Sequence, residues 1–281
     1  MKVCIIGLGE VGLPTAKYVQ TKNFDTWGYD IDQNVVKRAI ESGFQNATTD
    51  WLTIPPADVY VICVSTRVSG NLPDHSSVFD VCERIFKRSE HVSLVSVEST
   101  IIPGTSKRIW EEIFKKRINL VHVPHRYWPK EPETHGVNQL RVIGAIDEPS
   151  LTVGTDFYNK RLGIPLHRVS SIEAAEICKV SENAYRYVQI AFSEELRMIS
   201  EELGINFKEV QEACNSKWNI TMPEALNGIG GTCLPKDTLY LQSLTSYHDL
   251  LKGALNADAK YKQWLERHAS KSALPSKDQK K

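Results

Sequence analysis

Residues 1–14 read MKVCIIGLGEVGLP. An apolar run, Lys2–Ile6, meets a G-x-G-x-x-G turn over residues 7–12, and a helix-forming stretch follows. Three such glycines alone are a weak signal, so the setting decides. Here the turn follows a strand pattern and opens a helix pattern, and the next strand pattern, Thr26–Asp30, ends on an acid. In that setting Gly7 makes the tight turn, Gly9 lets a pyrophosphate approach backbone N–H groups, and Gly12 lets helix and strand pack closely. Gly7, Gly9, Glu10, Val11 and Gly12 therefore form an expected phosphate loop, with the helix N-terminus favouring negative charge. Asp30 would accept hydrogen bonds from ribose hydroxyls and repel a 2′-phosphate, which favours NAD over NADP.

Further strand-like runs lie at Val59–Val64, Val92–Val97, Asn119–Val123 and Arg141–Ala145, separated by helix-length segments. Short apolar runs in that rhythm predict an α/β fold with a doubly wound parallel sheet covered on both faces. Ser65 and Thr66 end one run, and Ser99 and Thr100 follow another. Ligands sit at the carboxyl ends of strands in such sheets, so these hydroxyls are candidate cofactor contacts. Ser and Thr also simply terminate strands, and both readings stand at this point. Pro103 and Gly104 read as a turn.

At 281 residues the chain suggests about two domains, on the rule of ~150 residues each. Lys+Arg and Asp+Glu both number 34, so no basic excess points to nucleic acid or an anionic membrane surface. The longest apolar runs are strand-sized, too short to span a bilayer, and the N-terminus has no signal-peptide pattern. The six cysteines, Cys4, Cys63, Cys82, Cys178, Cys214 and Cys233, are dispersed with no CxxC pair. That argues against a metal site and a disulfide scaffold, and for a reducing cytoplasm. Cys4 and Cys63 read as core strand residues; Cys82, Cys178 and Cys214 read as helical.

Residues 172–203 predict one long helix, with Ile177, Val180, Ala184, Val188 and Ala191 at helical spacing and Gly204 as its stop. Lys179 and Asn183 share a face one turn apart. Glu176 and Arg186 read as a solvated face. Beyond the helix, residues 227–237 read NGIGGTCLPKD, a lone thiol between glycines and a Pro-Lys-Asp run. Glycines let backbone approach a ligand, and an ammonium nearby favours the reactive thiolate. On these residues alone, a reactive thiol and a tight turn that happens to hold a cysteine both remain open.

Four stretches occur in one order: GLGEVGLP at 7–14, ESTIIPGT at 98–105, AEICKVSENAYR at 175–186 and GIGGTCLPKD at 228–237. Together they resemble the UDP-glucose/GDP-mannose dehydrogenase family, and most its UDP-N-acetylmannosamine dehydrogenase branch, over roughly residues 1–255. The resemblance implies oxidation of a nucleotide-sugar primary alcohol to the acid, with two NAD⁺ per turnover. It implies Cys233 as nucleophile, Lys179 and Asn183 as oxyanion donors, and Asp237 with Thr100 positioning the hydrolytic water. Lys236 would help hold the thiolate. Arg126, Lys179, Asn183, Gly230 and Cys233 would touch substrate. The family's Pro-Glu is here Pro124-His125, and His125 is expected to take over a proton role, titrating near pH 6–7.

The same resemblance implies a Rossmann-type NAD-binding domain over 1–168 and an all-helical dimerisation domain over 169–255; residues 256–281 read as a polar tail whose lysine-rich end, ASKSALPSKDQKK at 269–281, is disordered by composition. The family's C-terminal nucleotide-binding domain is expected to be missing, so activity would require a partner chain that carries it, or a smaller substrate. The expected assembly is a homodimer through the long helix. Two other readings stay open: a two-electron NAD-dependent dehydrogenase of a smaller hydroxy substrate, and a non-catalytic NAD-binding remnant.

Overall fold

The glycine turn follows a strand whose side chains are buried on alternate faces: Val3 and Ile5 on one, Cys4 and Ile6 on the other. A strand buried on both faces needs helices on both, and the chain supplies them in sequence. The structure, a computed structural model, describes residues 1–70, 72–88 and 91–272. The chain forms two compact units that divide between Val180 and Ser181, inside a helix.

The N-terminal unit runs β1 (Lys2–Ile6), α1 (Gly12–Thr21), β2 (Asp25–Tyr29), α2 (Gln33–Glu41), β3 (Ala47–Thr48) and β4 (Val59–Ile62). A short antiparallel hairpin, β5 (Arg67–Ser69) and β6 (Leu72–Asp74), precedes α3 (Ser76–Phe86), β7 (Leu94–Val97) and α4 (Thr105–Arg108). There follow β8 (Leu120–His122), β9 (Arg141–Ala145), α5 (Glu148–Thr155), β10 (Leu166–Arg168) and the start of α6 (Ile172–Glu202). Helices α4 and α5 each continue into a π-helical stretch, Ile109–Ile113 and Asp156–Arg161.

The strand order is β10-β9-β8-β7-β4-β1-β2-β3. All neighbours are parallel except β8 and β9. That one reversal in the expected parallel sheet has a simple cause. Residues 123–140 between the two strands contain no helix, and only a parallel return needs a long crossover. Strands β3 and β10 and the hairpin also went unpredicted, being two or three residues long. Because β4 and β2 flank β1, the order reverses there, and the carboxyl ends of β1 and β4 border the crevice where such sheets take ligands. Two apolar layers cover the sheet: Val78, Val81 and Ile85 of α3 on one face, Ala16 and Val19 of α1 on the other.

The C-terminal unit is helical: the rest of α6, α7 (Phe207–Asn215), α8 (Cys233–Ser243) and α9 (Asp249–Ser272). Its core packs Tyr187 and Ala191 of α6 against Ile229 and against Ala254 and Ala257 of α9. The polar tail is helical as far as Ser272, four residues into the stretch expected to be disordered from residue 269. Its buried face, Ala254, Ala257 and Tyr261, is narrow and mostly small, and Lys and Glu elsewhere mask the period. Residues 273–281 lie outside the described residues. Among the described residues no helix is long and apolar enough to cross a membrane.

Candidate active site

The phosphate loop follows from backbone constraint. Gly7 has φ +88°, and a Cβ there would stand 2.6 Å from the Cys63 carbonyl oxygen of β4's exit. A Cβ at Gly12 would stand 1.7 Å from the Gly7 oxygen. These two glycines are needed for packing. Around Gly9 no atom would come within 4 Å, so that backbone is open to a ligand. Helix α1 has no side-chain cap and no acid in its first turn, which leaves its N–H groups for an anion. Asp30 Oδ2 accepts the Leu8 N–H at 2.7 Å and Oδ1 accepts the Asp32 N–H at 2.9 Å. The acid expected to hold a ribose thus also ties the glycine turn to the end of β2. An open glycine, an uncapped helix and an acid beside them fit a dinucleotide.

At the neighbouring strand ends the hydroxyls divide. Ser65 is exposed, whereas Ser99 is buried and donates 2.7 Å to the Val64 oxygen. Ser99 therefore ties β7's exit to β4's. Thr66 Oγ1 donates 2.9 Å to the Thr100 oxygen, joining the two loops. Glu10 is exposed and Val11 half-buried beside Gly12.

Under this crevice lies a charge cluster that the sequence did not announce. Glu98, wholly buried, lies 3.0 Å from Arg141 Nη2 and 2.5 Å from His125 Nε2, accepts from the Tyr158 hydroxyl, and is 3.6 Å from Cys63 Sγ. Burial opposes its charge, but Arg141 and His125 outweigh that and hold the carboxyl well below the usual carboxylate range. His125 is also 2.9 Å from Thr15 Oγ1 of α1. Thr15 already donates to Val11 O, so both neighbours of Nε2 are acceptors and that nitrogen carries the proton. Burial and then Arg141 push His125 down to about 4. This corrects the expected titration at pH 6–7: the ring stays neutral through that range. Cys63, Glu98 and His125 also bring ligand-type atoms within 4.8 Å of one another. The carboxylate among them is already claimed by Arg141, and a second cation would face that guanidinium.

Glu176 is a second correction. Expected on a solvated face, it is wholly buried and accepts the Gly104 N–H at 2.7 Å and the Ser106 N–H at 2.8 Å. It anchors the Pro103–Gly104 turn, downstream of Thr100, at Gly104's φ of +92°. Burial pushes its carboxyl up to about 7, against the pull of those N–H groups. Arg186 is exposed, and Arg126 donates 3.0 Å to the Leu140 oxygen.

In the C-terminal unit, Cys233 is an exposed free thiol in the first turn of α8. Lys236 follows it on the same turn. Asp237, one turn on and buried, accepts from Asn183 Nδ2 at 2.5 Å and from Lys236 Nζ at 2.6 Å. Lys236 also lies 4.4 Å from the centre of the Tyr240 ring. Asn183, Lys236 and Asp237 thus converge beside Cys233. Gly230 is exposed, with open space where a Cβ would be. Lys179, half-buried, sits one turn before Asn183 on α6, within the N-terminal unit as are Thr100 and His125. Of the other thiols, Cys4 and Cys82 are wholly buried and pushed far up by burial. Cys63 falls just past β4 rather than in it.

Sequence reasoning missed Glu98, Arg141, Tyr158 and Glu176. A charged Arg141 opening an otherwise apolar strand was the one available hint, since an isolated buried charge demands a partner.

Two family profiles match the chain. One, described as the UDP-glucose/GDP-mannose dehydrogenase family NAD binding domain, covers residues 33–162; the same family's central domain covers 173–259. A UDP-N-acetyl-D-mannosamine dehydrogenase of Methanocaldococcus jannaschii is 31% identical over 274 residues, 90% of this chain and 64% of that protein. That of Methanococcus maripaludis is 29% identical over 277 residues, with the same coverage. A solved UDP-D-ManNAc dehydrogenase from Pyrococcus horikoshii superposes with TM-score 0.87 at 25% identity, covering 98% of this chain and 73% of that one. The chain spans about 64% of the length of the curated relatives it matches. The N-terminal unit is an NAD-binding domain, and its glycine turn, just before the matched range, has the geometry for that cofactor.

Proposed function

Because the chain belongs to the UDP-glucose/GDP-mannose dehydrogenase family, we propose that it oxidises the primary alcohol of a UDP-sugar, N-acetylmannosamine before glucose, to the carboxylate. NAD⁺, when bound, supplies a hydride acceptor. The backbone of Gly7–Gly12 and the start of α1 would hold its pyrophosphate, and Asp30 would take a ribose. Loss of hydride and a proton turns the alcohol into an aldehyde. The Cys233 thiolate adds to the aldehyde carbon, and the oxygen takes a proton, giving a thiohemiacetal that keeps the aldehyde in place. Loss of a second hydride to a second NAD⁺, with a proton, leaves a thioester. Water then releases the acid and the thiol. The sum is one alcohol, one water and two NAD⁺ going to one carboxylate, two NADH and three protons.

Lys179 and Asn183 are the donors for the oxyanions on this route, and Asp237 aligns the water. The observation that carries the reading is the convergence of Asn183 and Lys236 on the buried Asp237, one turn from Cys233. The free thiols of the described chain suit a reducing cytoplasm. The chain pairs with a second copy along α6, where Tyr185, Phe192 and Ile199 are exposed at seven-residue spacing.

The test is stoichiometric. The protein is incubated with NAD⁺ and a panel of UDP-sugars, GDP-sugars and smaller hydroxy acids, and NADH is counted per product. Two per acid supports the proposal, and one per carbonyl product supports a two-electron dehydrogenase. Tight NAD binding with no turnover across the panel would reduce the chain to a binding protein.

A further inference from the structure

The loop that carries the thiol looks flexible in sequence, yet most of it is held. Arg197 of α6 donates 2.7 Å to the Ala225 oxygen, and the Tyr261 hydroxyl of α9 donates 2.8 Å to the Leu226 oxygen. Ile229 buries its side chain against Tyr187, Ala191, Ala254 and Ala257. Its N–H donates 2.8 Å to Asp258 Oδ1, and its oxygen accepts from Lys262 Nζ at 2.8 Å. Asp258 and Lys262, one turn apart on α9, are themselves paired at 2.8 Å, and the Tyr187 hydroxyl donates to the same carboxylate at 2.8 Å. The Lys262 stem lies across Gly228, where a Cβ would stand 2.6 Å from its Cε and where φ is +83°. Only Gly230, Gly231 and Thr232 remain between this anchor and Cys233.

Resting on the reading of Cys233 as nucleophile, we propose that Asp258 and Lys262 are positioning residues for that thiol. Together they grip both backbone polar groups of Ile229 and fix the foot of the loop from which α8 and Cys233 start. Neither touches the reacting atoms. The function of the grip is preorganisation: a thiol displaced by about 1 Å loses attack geometry, a fault worth about 10²-fold in rate. The free glycines then let the last short arc adjust to substrate while its origin stays fixed. A lysine and aspartate serving α9 alone would pair on its surface; here both terminate on loop backbone, and Asp258 is buried.

The test uses the whole chain. Lys262→Met keeps the stem over Gly228 but removes the ammonium, Lys262→Arg restores a donor, and Asp258→Asn removes the charge while keeping the shape. Three measurements follow: amide exchange at Ile229, iodoacetamide alkylation of Cys233 with Cys214 as internal reference, and kcat and KM for acid formation. In Lys262→Met, exchange at Ile229 should rise about tenfold as the local unit opens more readily. Alkylation of Cys233, but not of Cys214, should slow about threefold as the first turn of α8 frays and the sulfur loses the helix N–H groups at its start. The kcat should fall about tenfold with KM unchanged, and Lys262→Arg should recover most of each change. Wild-type exchange and alkylation in Lys262→Met would overturn the proposal. If the wild-type chain oxidises no nucleotide sugar, the proposed function fails, yet exchange and alkylation still decide this inference. If Asp258→Asn does not fold, Lys262→Met carries the test.

Discussion

Asn183 on α6 and Asp237 on α8 are joined by a 2.5 Å hydrogen bond, and the other oxygen of the buried carboxylate lies 2.6 Å from Lys236 Nζ. One acid thereby orients an amide and an ammonium around the turn that presents Cys233. Asp237→Asn keeps the volume but removes the charge, leaving Lys236 without this counter-ion and Asn183 facing an amide. Turnover should fall about 10²–10⁴-fold, the usual share of a positioned acid–base group. Rapid-quench measurement of NADH and acid would show which step slows. Full turnover would remove Asp237 from the chemistry.

His125 gives a second prediction. Its ring faces Glu98 at 2.5 Å, so His125→Glu would set two buried carboxylates against each other with Arg141 alone between them. That variant should lose about 3 kcal/mol or more of stability, as when a buried pair is broken, whereas His125→Gln retains a donor and should lose less. Urea unfolding of the two variants decides it. Because His125 is pushed down to about 4, its unfolded form takes up a proton first on acidification. Its contribution to stability is present above the unfolded value near pH 6.5 and is lost as pH falls toward 4. Turnover should show no step at pH 6–7 from this ring.

The periodicity of β1, β4 and β7 made the sheet legible, because strands buried on both faces have no polar alternation to confuse them. The phosphate loop was legible because only glycine satisfies the backbone at Gly7 and Gly12. What was not legible depends on pairing across the chain. Glu98 and Arg141 lie at the ends of different strands, and nothing local announces that they meet. Glu176 looked like any charged helix residue until Gly104 and Ser106 were seen to point at it. The length of α9 was hidden for another reason: alanines bury well but carry little hydrophobic signal.

Asp30 accepts from Leu8 and Asp32 N–H groups, so its removal has two effects. Asp30→Ala should weaken NAD binding by about 1–3 kcal/mol, the cost of leaving polar groups unpaired, and should loosen the turn that carries Gly9. Calorimetry with NAD and NADP tests both parts. The wild type should prefer NAD, and tighter binding of NADP would reverse the assignment.

Glu194 on α6 is wholly buried beside Asp258, and burial first, then that carboxylate, push it up to about 7. A carboxyl raised in this way stabilises the fold fully below its unfolded pKa of about 4.3 and loses that contribution as pH rises through 7. Glu194→Gln should therefore melt higher than wild type at pH 8, with the gap closing toward pH 5. Glu176, raised to about 7 as well, will leave a residual slope in the variant. Equal melting temperatures at pH 8 would show that the Glu194 charge costs the fold nothing.

The last prediction concerns assembly. Tyr185, Phe192 and Ile199 project from α6 with 67%, 57% and 48% of their surface exposed, and Leu203 just beyond the helix has 66% exposed. A seven-residue apolar spacing along a 31-residue helix is the pattern by which two helices pack with a shallow crossing. Isolated exposed apolar side chains are ordinary on any surface, but a row of two aromatics and an isoleucine in register on one long helix suits an interaction face. On the proposed pairing along α6, a second copy of the chain would satisfy it by two-fold symmetry, stripe against stripe. Phe192→Glu places two like charges face to face near the middle of such a contact and should convert the dimer to monomer. Sedimentation equilibrium of wild type and variant gives the masses directly, and NAD binding by the N-terminal unit should survive. A wild-type chain that sediments as a monomer of 31.7 kDa at tens of micromolar would mean that α6 meets something other than its own copy.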